Sequence, residues 1–113
     1  MKFKKLAAKI SKINADKGFH DNWKNEESQI ITKLALIHSE VSEALECVRN
    51  GEMTLFSKDG KPEGFPSELA DIYIRVIDLA SLTNTNLPDA VKVKLQYNAS
   101  RPFNHGRKVK IEK

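Results

Sequence analysis

Two acid couplets, each set beside an apolar helical stripe, restrict this chain more than any other feature. Glu40-Val-Ser-Glu43 lies in one helical stretch and Glu68-Leu-Ala-Asp71 in the next. The i, i+3 spacing puts both acids of a couplet on nearly the same helix face. On a helical wheel Glu40 and Glu43 flank the stripe Ile30, Leu34, Ile37, Val41, Ala44, Leu45 and Val48, with Leu36 and Cys47 on their side. Glu68 and Asp71 flank a second stripe, with Arg75 and Asp78 one and two turns on. Four acids at the edge of a core repel one another and lose hydration, so they require a counter-charge. A hard divalent cation such as Mg²⁺, which prefers oxygen ligands, meets that requirement. Antiparallel neighbours joined by one loop bring the couplets together near the middle of a bundle.

The remaining pattern is helical as well. Phe3, Leu6, Ala7, Ile10 and Ile13 predict a helix over roughly 2–17, stopped by Gly18. Residues 18–26 read as a loop, and a second helix runs over about 26–49 to Asn50-Gly51. Residues 51–65 hold Gly51, Asp59-Gly60, Pro62 and Gly64, which predicts a long loop of the kind that often carries function. A third helix starts near Pro66 and breaks at 83–86, and a fourth opens at Pro88-Asp89 and ends at Arg101-Pro102. Residues 103–113 show no helical pattern and read as an irregular tail. Four helices without a clear strand pattern predict an all-α, four-helix bundle-like fold in a single domain, 1–113. A core this small is often completed by a second copy of the chain.

Charge and cysteine usage narrow the setting. The formal charge is +4, with basic residues grouped near both ends and most acids between them. That asymmetry suits an anionic ligand or nucleic acid, and for the N-terminal lysines a simply solvated surface. The single cysteine, Cys47, cannot form an intramolecular disulfide, which predicts a reducing, cytoplasmic setting and a packing role for this residue. No apolar run is long enough to span a membrane, and the spaced apolar residues at the N-terminus do not make a secretory signal.

Other candidate residues are ambiguous when taken singly. Arg75 suits either an ion pair to Asp71 at i+4 or a contact to phosphate. On the fourth helix Lys94, Asn98 and Arg101 follow an apolar first turn on a side expected to face inward, where they suit an anionic group. The alternative is a solvated helix end. Trp23, in the loop Phe19-His20-Asp21-Asn22-Trp23, suits either a stacking wall for a base or a buried loop anchor. His20, His38 and His105 share no metal-ligand spacing, and neither a Walker-type loop nor a G-x-S-x-G nucleophile motif occurs.

Several segments together carry a resemblance. They are His38-Ser39-Glu40-Val41-Ser42-Glu43-Ala44-Leu45-Glu46, then Lys61-Pro62-Glu63-Gly64-Phe65-Pro66-Ser67-Glu68-Leu69-Ala70-Asp71, then Lys94-Leu95-Gln96-Tyr97-Asn98, then Arg101-Pro102 with His105-Gly106. In combination and order they resemble the MazG-like nucleotide pyrophosphohydrolases of the all-α NTP pyrophosphatase superfamily, in their small single-domain form, over about 20–110. The resemblance implies Mg²⁺-dependent cleavage of a nucleoside triphosphate between its α- and β-phosphates, giving the monophosphate and pyrophosphate. It implies Mg²⁺ ligation by Glu40, Glu43, Glu68 and Asp71, with Mn²⁺ as a substitute. Lys94 and Asn98 then contact the substrate, joined by Arg75, Arg101 and Trp23. It also implies dimers or dimers of dimers with the site near a subunit interface. Elementary chemistry agrees: metal coordination acidifies a bound water, and one carboxylate of the set, Glu40 or Glu43, accepts its proton.

Two other readings compete with this one. A di-iron carboxylate bundle uses Glu-x-x-His motifs, whereas both couplets here end in an acid. A small basic module that contacts nucleic acid or a protein partner without catalysis explains the basic ends. It does not explain acids set beside core stripes, which repel phosphate unless a cation intervenes.

Overall fold

Three of the four helices of this chain stop in the same way, and the fourth ends in extended backbone at Arg101. The computed structural model describes residues 2–102, and the expected tail over 103–113 lies outside them. The elements are α1 (Phe3–Asp16), α2 (Glu27–Arg49), β1 (Phe56–Lys58), β2 (Lys61–Glu63), α3 (Phe65–Leu82) and α4 (Leu87–Ser100). Three helices end in a Schellman motif, in which a left-handed residue lets two amides satisfy the last carbonyls. After α1, Gly18 has φ 85° and Phe19 N–H donates to Asn14 O at 2.9 Å. After α2, Gly51 has φ 72° and Glu52 N–H donates to Cys47 O at 2.8 Å. After α3, Asn84 takes the left-handed place at φ 55°, and Thr85 N–H donates to Ala80 O at 2.8 Å.

The helices account for 68% of the described residues, so the all-α expectation holds at that level. The sequence shows no clear strand pattern, yet the structure contains two short strands. Residues 56–63 form an antiparallel hairpin with Phe56 opposite Glu63 and Lys58 opposite Lys61. Asp59 and Gly60 both have positive φ, 54° and 79°, as a two-residue type I′ turn requires. The Asp-Gly dipeptide was the available clue; the flanking segments lack an apolar alternation because the hairpin is almost wholly exposed.

α3 is the central element. α2 lies along it, α1 packs on it, and β2 abuts it. Cys47 shares a hollow with Gly64 and Glu68, while Leu36 and Ile37 share one with Ile74, Asp78 and Leu79, so α2 and α3 run antiparallel. The core they enclose is narrow: Ile10, Ala44, Cys47, Ile77 and Ala80 are buried, and Ile77 is fully so. Burying a side chain of that size stabilises the fold by about 2–3 kcal/mol.

α2 divides its apolar residues between two faces. Ile30, Lys33, Ile37, Glu40, Ala44 and Cys47 form the inward stripe. Leu34, Val41, Leu45 and Val48, expected in the core stripe, stay about half exposed. α4 differs from expectation in the same sense. It has no buried residue and packs on none of the other elements to any extent, so within one chain three helices pack and the fourth stands apart. The radius of gyration, 17.7 Å, exceeds the roughly 13 Å of a compact chain of this length.

Candidate metal and anion site

Three of the four expected acids converge. One carboxylate oxygen each of Glu40, Glu68 and Asp71 lies within 4.8 Å of the other two. Glu40 comes from the middle of α2, where the inward stripe turns from Ile37 to Ala44. Glu68 and Asp71 come from the first two turns of α3. That start is set by Gly64, buried with φ 103°, where a Cβ would collide with the Thr54 carbonyl. Glu43 is exposed and stands outside the triad. It lines an adjoining hollow of about 290 Å³ with Cys47, Glu52, Lys58, Glu63 and Glu68.

The electrostatics are those of a site short of positive charge. The Glu68 carboxyl is held above the usual carboxylate range, first by burial and then by the charges of Asp71, Glu40, Glu43 and Glu63. Burial likewise pushes the Cys47 thiol up, reinforced by Glu52 and Glu68, which keeps it a packed, unreactive thiol. The cation that does reach the triad is Arg75. Its Nε lies 3.3 Å from Glu40 Oε1, so its ion-pair partner is across the helix seam on α2 and not Asp71 on its own helix. The Glu40 side chain is only 17% exposed, so the pair forms where attraction is less damped by water.

The donor set fits a hard divalent cation. All three converging groups are carboxylates, without a His or Cys among them. Glu40, Glu68 and Asp71 would hold such a cation through carboxylate oxygens, the ligand type that Mg²⁺ and Mn²⁺ prefer.

Beside the triad, Asp71 and Arg75 form one wall of an open cavity of about 340 Å³. Its other walls are apolar (Phe19, Leu36, Ile37, Ile74 and Leu79), with Asn14, Lys33 and Asp78 as polar groups. Lys33 and Asp78 were not singled out as ligand-binding residues from sequence. Lys33 occupies the inward stripe of α2, and a lysine at an apolar period was the clue to it. Asp78 is 5% exposed, and His20 Nε2 lies 2.9 and 3.0 Å from its two carboxylate oxygens.

The other expected contacts are elsewhere. Trp23 donates its indole N–H to Leu82 O at 3.1 Å, tying the loop after α1 to the end of α3, and it does not line the cavity beside the triad. Lys94 and Arg101 each lie 5.3 Å from the Tyr97 ring centroid on α4. With Asn98 they belong to the helix that stands apart, so one chain does not bring them to the carboxylates. Comparison with protein families, with curated proteins and with solved structures finds no match.

Proposed function

We propose that this chain is a metal-dependent nucleoside triphosphate pyrophosphohydrolase of the MazG-like type. The observation that carries the reading is the convergence of Glu40, Glu68 and Asp71 at the rim of a cavity with apolar walls. An all-oxygen triad suits Mg²⁺ or Mn²⁺, and a triphosphate is the kind of anion such a site draws in. The cavity is within the size range of small-ligand sites. It receives the nucleoside, with Phe19, Leu36, Ile37 and Ile74 against the base and Asn14 and Lys33 as polar partners.

Mg²⁺ held by the triad supplies charge neutralisation at the phosphates and a more acidic water. The chain's own groups do the rest. Glu40, Glu68 and Asp71 hold the cation. Glu43, outside the triad but lining the same hollow as Glu68, takes the proton of the attacking water. The oxygen of that water bonds to the α-phosphorus as the bond to the α–β bridging oxygen breaks, and pyrophosphate leaves. Arg75 contacts a phosphate oxygen.

A second copy of the chain completes the arrangement. The half-exposed stripe Leu34, Val41, Leu45 and Val48 takes a partner helix at coiled-coil spacing. In that dimer α4 of the partner brings Lys94, Asn98 and Arg101 to the triphosphate tail.

A panel of ribo- and deoxynucleoside triphosphates with pyrophosphate detection tests the proposal. Release requires Mg²⁺ or Mn²⁺ and is lost in Glu40→Gln and Glu68→Gln while helicity is unchanged. A folded, metal-loaded sample that releases no pyrophosphate from any nucleotide excludes the reading.

A further inference from the structure

The ion pair between Arg75 and Glu40 joins the carboxylate triad to the wall of the adjoining cavity. Arg75 belongs to both halves of the site. Its Nε is 3.3 Å from Glu40 Oε1, one residue of the triad, and its side chain forms a wall of the 340 Å³ cavity. Glu40 is largely enclosed, whereas the Arg75 side chain is 41% exposed, so the guanidinium is the partner with room to move.

Resting on the pyrophosphohydrolase reading, we infer that Arg75 is an internal counter-ion that competes with the divalent cation for Glu40 and passes to the substrate's phosphate when that cation binds. The physical reason is charge. Without metal, three carboxylates crowd together and a guanidinium offsets part of their repulsion. A doubly charged ion among the same oxygens repels that guanidinium. A phosphate oxygen in the adjoining cavity then offers it a better acceptor, because the planar fork matches phosphate as well as carboxylate. Metal and nucleotide therefore bind with positive coupling, and the metal alone binds less tightly than three carboxylates otherwise permit.

The test needs no turnover. Mn²⁺ binding to the nucleotide-free chain is measured by electron paramagnetic resonance for wild type, Arg75→Gln and Arg75→Met, with helicity checked by circular dichroism. Both variants bind Mn²⁺ roughly two- to fivefold more tightly than wild type, the upper part of the range for removing one partly exposed ion pair. In wild type, Mg²⁺ addition also shifts the Arg75 Nε–H resonance. In turnover the variants raise KM for the nucleotide by about tenfold, the size of a lost charge-assisted contact. Unchanged or weaker Mn²⁺ affinity in the variants that fold overturns the inference, even if pyrophosphate release stands. Tighter Mn²⁺ with an unchanged KM overturns the transfer to phosphate. If no form binds Mn²⁺, the functional reading fails together with the inference.

Discussion

His20 Nε2 lies within 3.0 Å of both carboxylate oxygens of Asp78, 58 residues away in sequence, and so fastens the loop after α1 to the C-terminal part of the central helix. The Asp78 side chain is 7% exposed, which makes His20 its essential partner. His20→Ala leaves that buried carboxylate without its ring partner and is expected to cost about 2–4 kcal/mol. A urea titration reads this as a lower midpoint at unchanged slope. Asp78→Asn, which keeps an acceptor for the ring, costs less.

Trp23 separates an anchor from a base-stacking residue. If its role is the hydrogen bond to Leu82 O, Trp23→Phe loses about 1 kcal/mol of stability and leaves KM for the nucleotide unchanged. A large rise in KM at unchanged stability assigns the ring to the substrate instead.

Gly64 tests the positioning of the carboxylates. Its φ of 103° is open to glycine and costly for other residues, and a Cβ there meets the Thr54 carbonyl. Gly64→Ala is expected to lose at least about 2 kcal/mol and to weaken Mn²⁺ binding as well, because Glu68 and Asp71 follow within two turns. Thermal unfolding and the Mn²⁺ titration check the two effects separately.

The raised pKa of Glu68 predicts how metal-free stability changes with pH. The folded chain binds this proton more tightly than the unfolded chain does. The stabilisation it gives is therefore complete below the ordinary glutamate range and is lost as pH rises through the raised folded value. Two results follow. Glu68→Gln raises the metal-free Tm at neutral pH, although it removes a proposed ligand. The Tm increase from Mg²⁺ is largest at neutral pH and shrinks on mild acidification in wild type. Differential scanning calorimetry at several pH values, with and without metal, measures both.

The proposed partner contribution from α4 predicts complementation. Lys94→Ala and Glu68→Gln are each expected to be inactive alone. Mixed and allowed to exchange subunits, they form some dimers with one intact site, and pyrophosphate release partly returns. Val41→Asp combined with Leu45→Asp gives a monomer in light scattering and no activity.

How much was legible in the sequence depends on whether a feature is local. Helix periods, the Gly18, Gly51 and Asn84 stops and the two acid couplets are encoded within a few residues of one another, because backbone geometry fixes i, i+3 and i+4 neighbours. These survive in the structure with end points shifted by a residue or two. The Asp59-Gly60 turn was equally local, but its exposed flanks carry no alternation to mark them as strands.

Relationships between elements were decided only in three dimensions. On α2, the stripes 30/33/37/40/44/47 and 34/41/45/48 differ by about one residue, or 100° of rotation, and either set looks like a core face. The packing of α3 chose the first, which turned Glu40 inward, brought it to Glu68 and Asp71, and left Glu43 at the edge. The same packing gave Arg75 to Glu40 instead of Asp71 and joined His20 to Asp78. Local periodicity is enough to mark four helices and the residues that carry the acids. Which acids meet and what neutralises them depends on the rotation of one helix against another, to which the local period is indifferent.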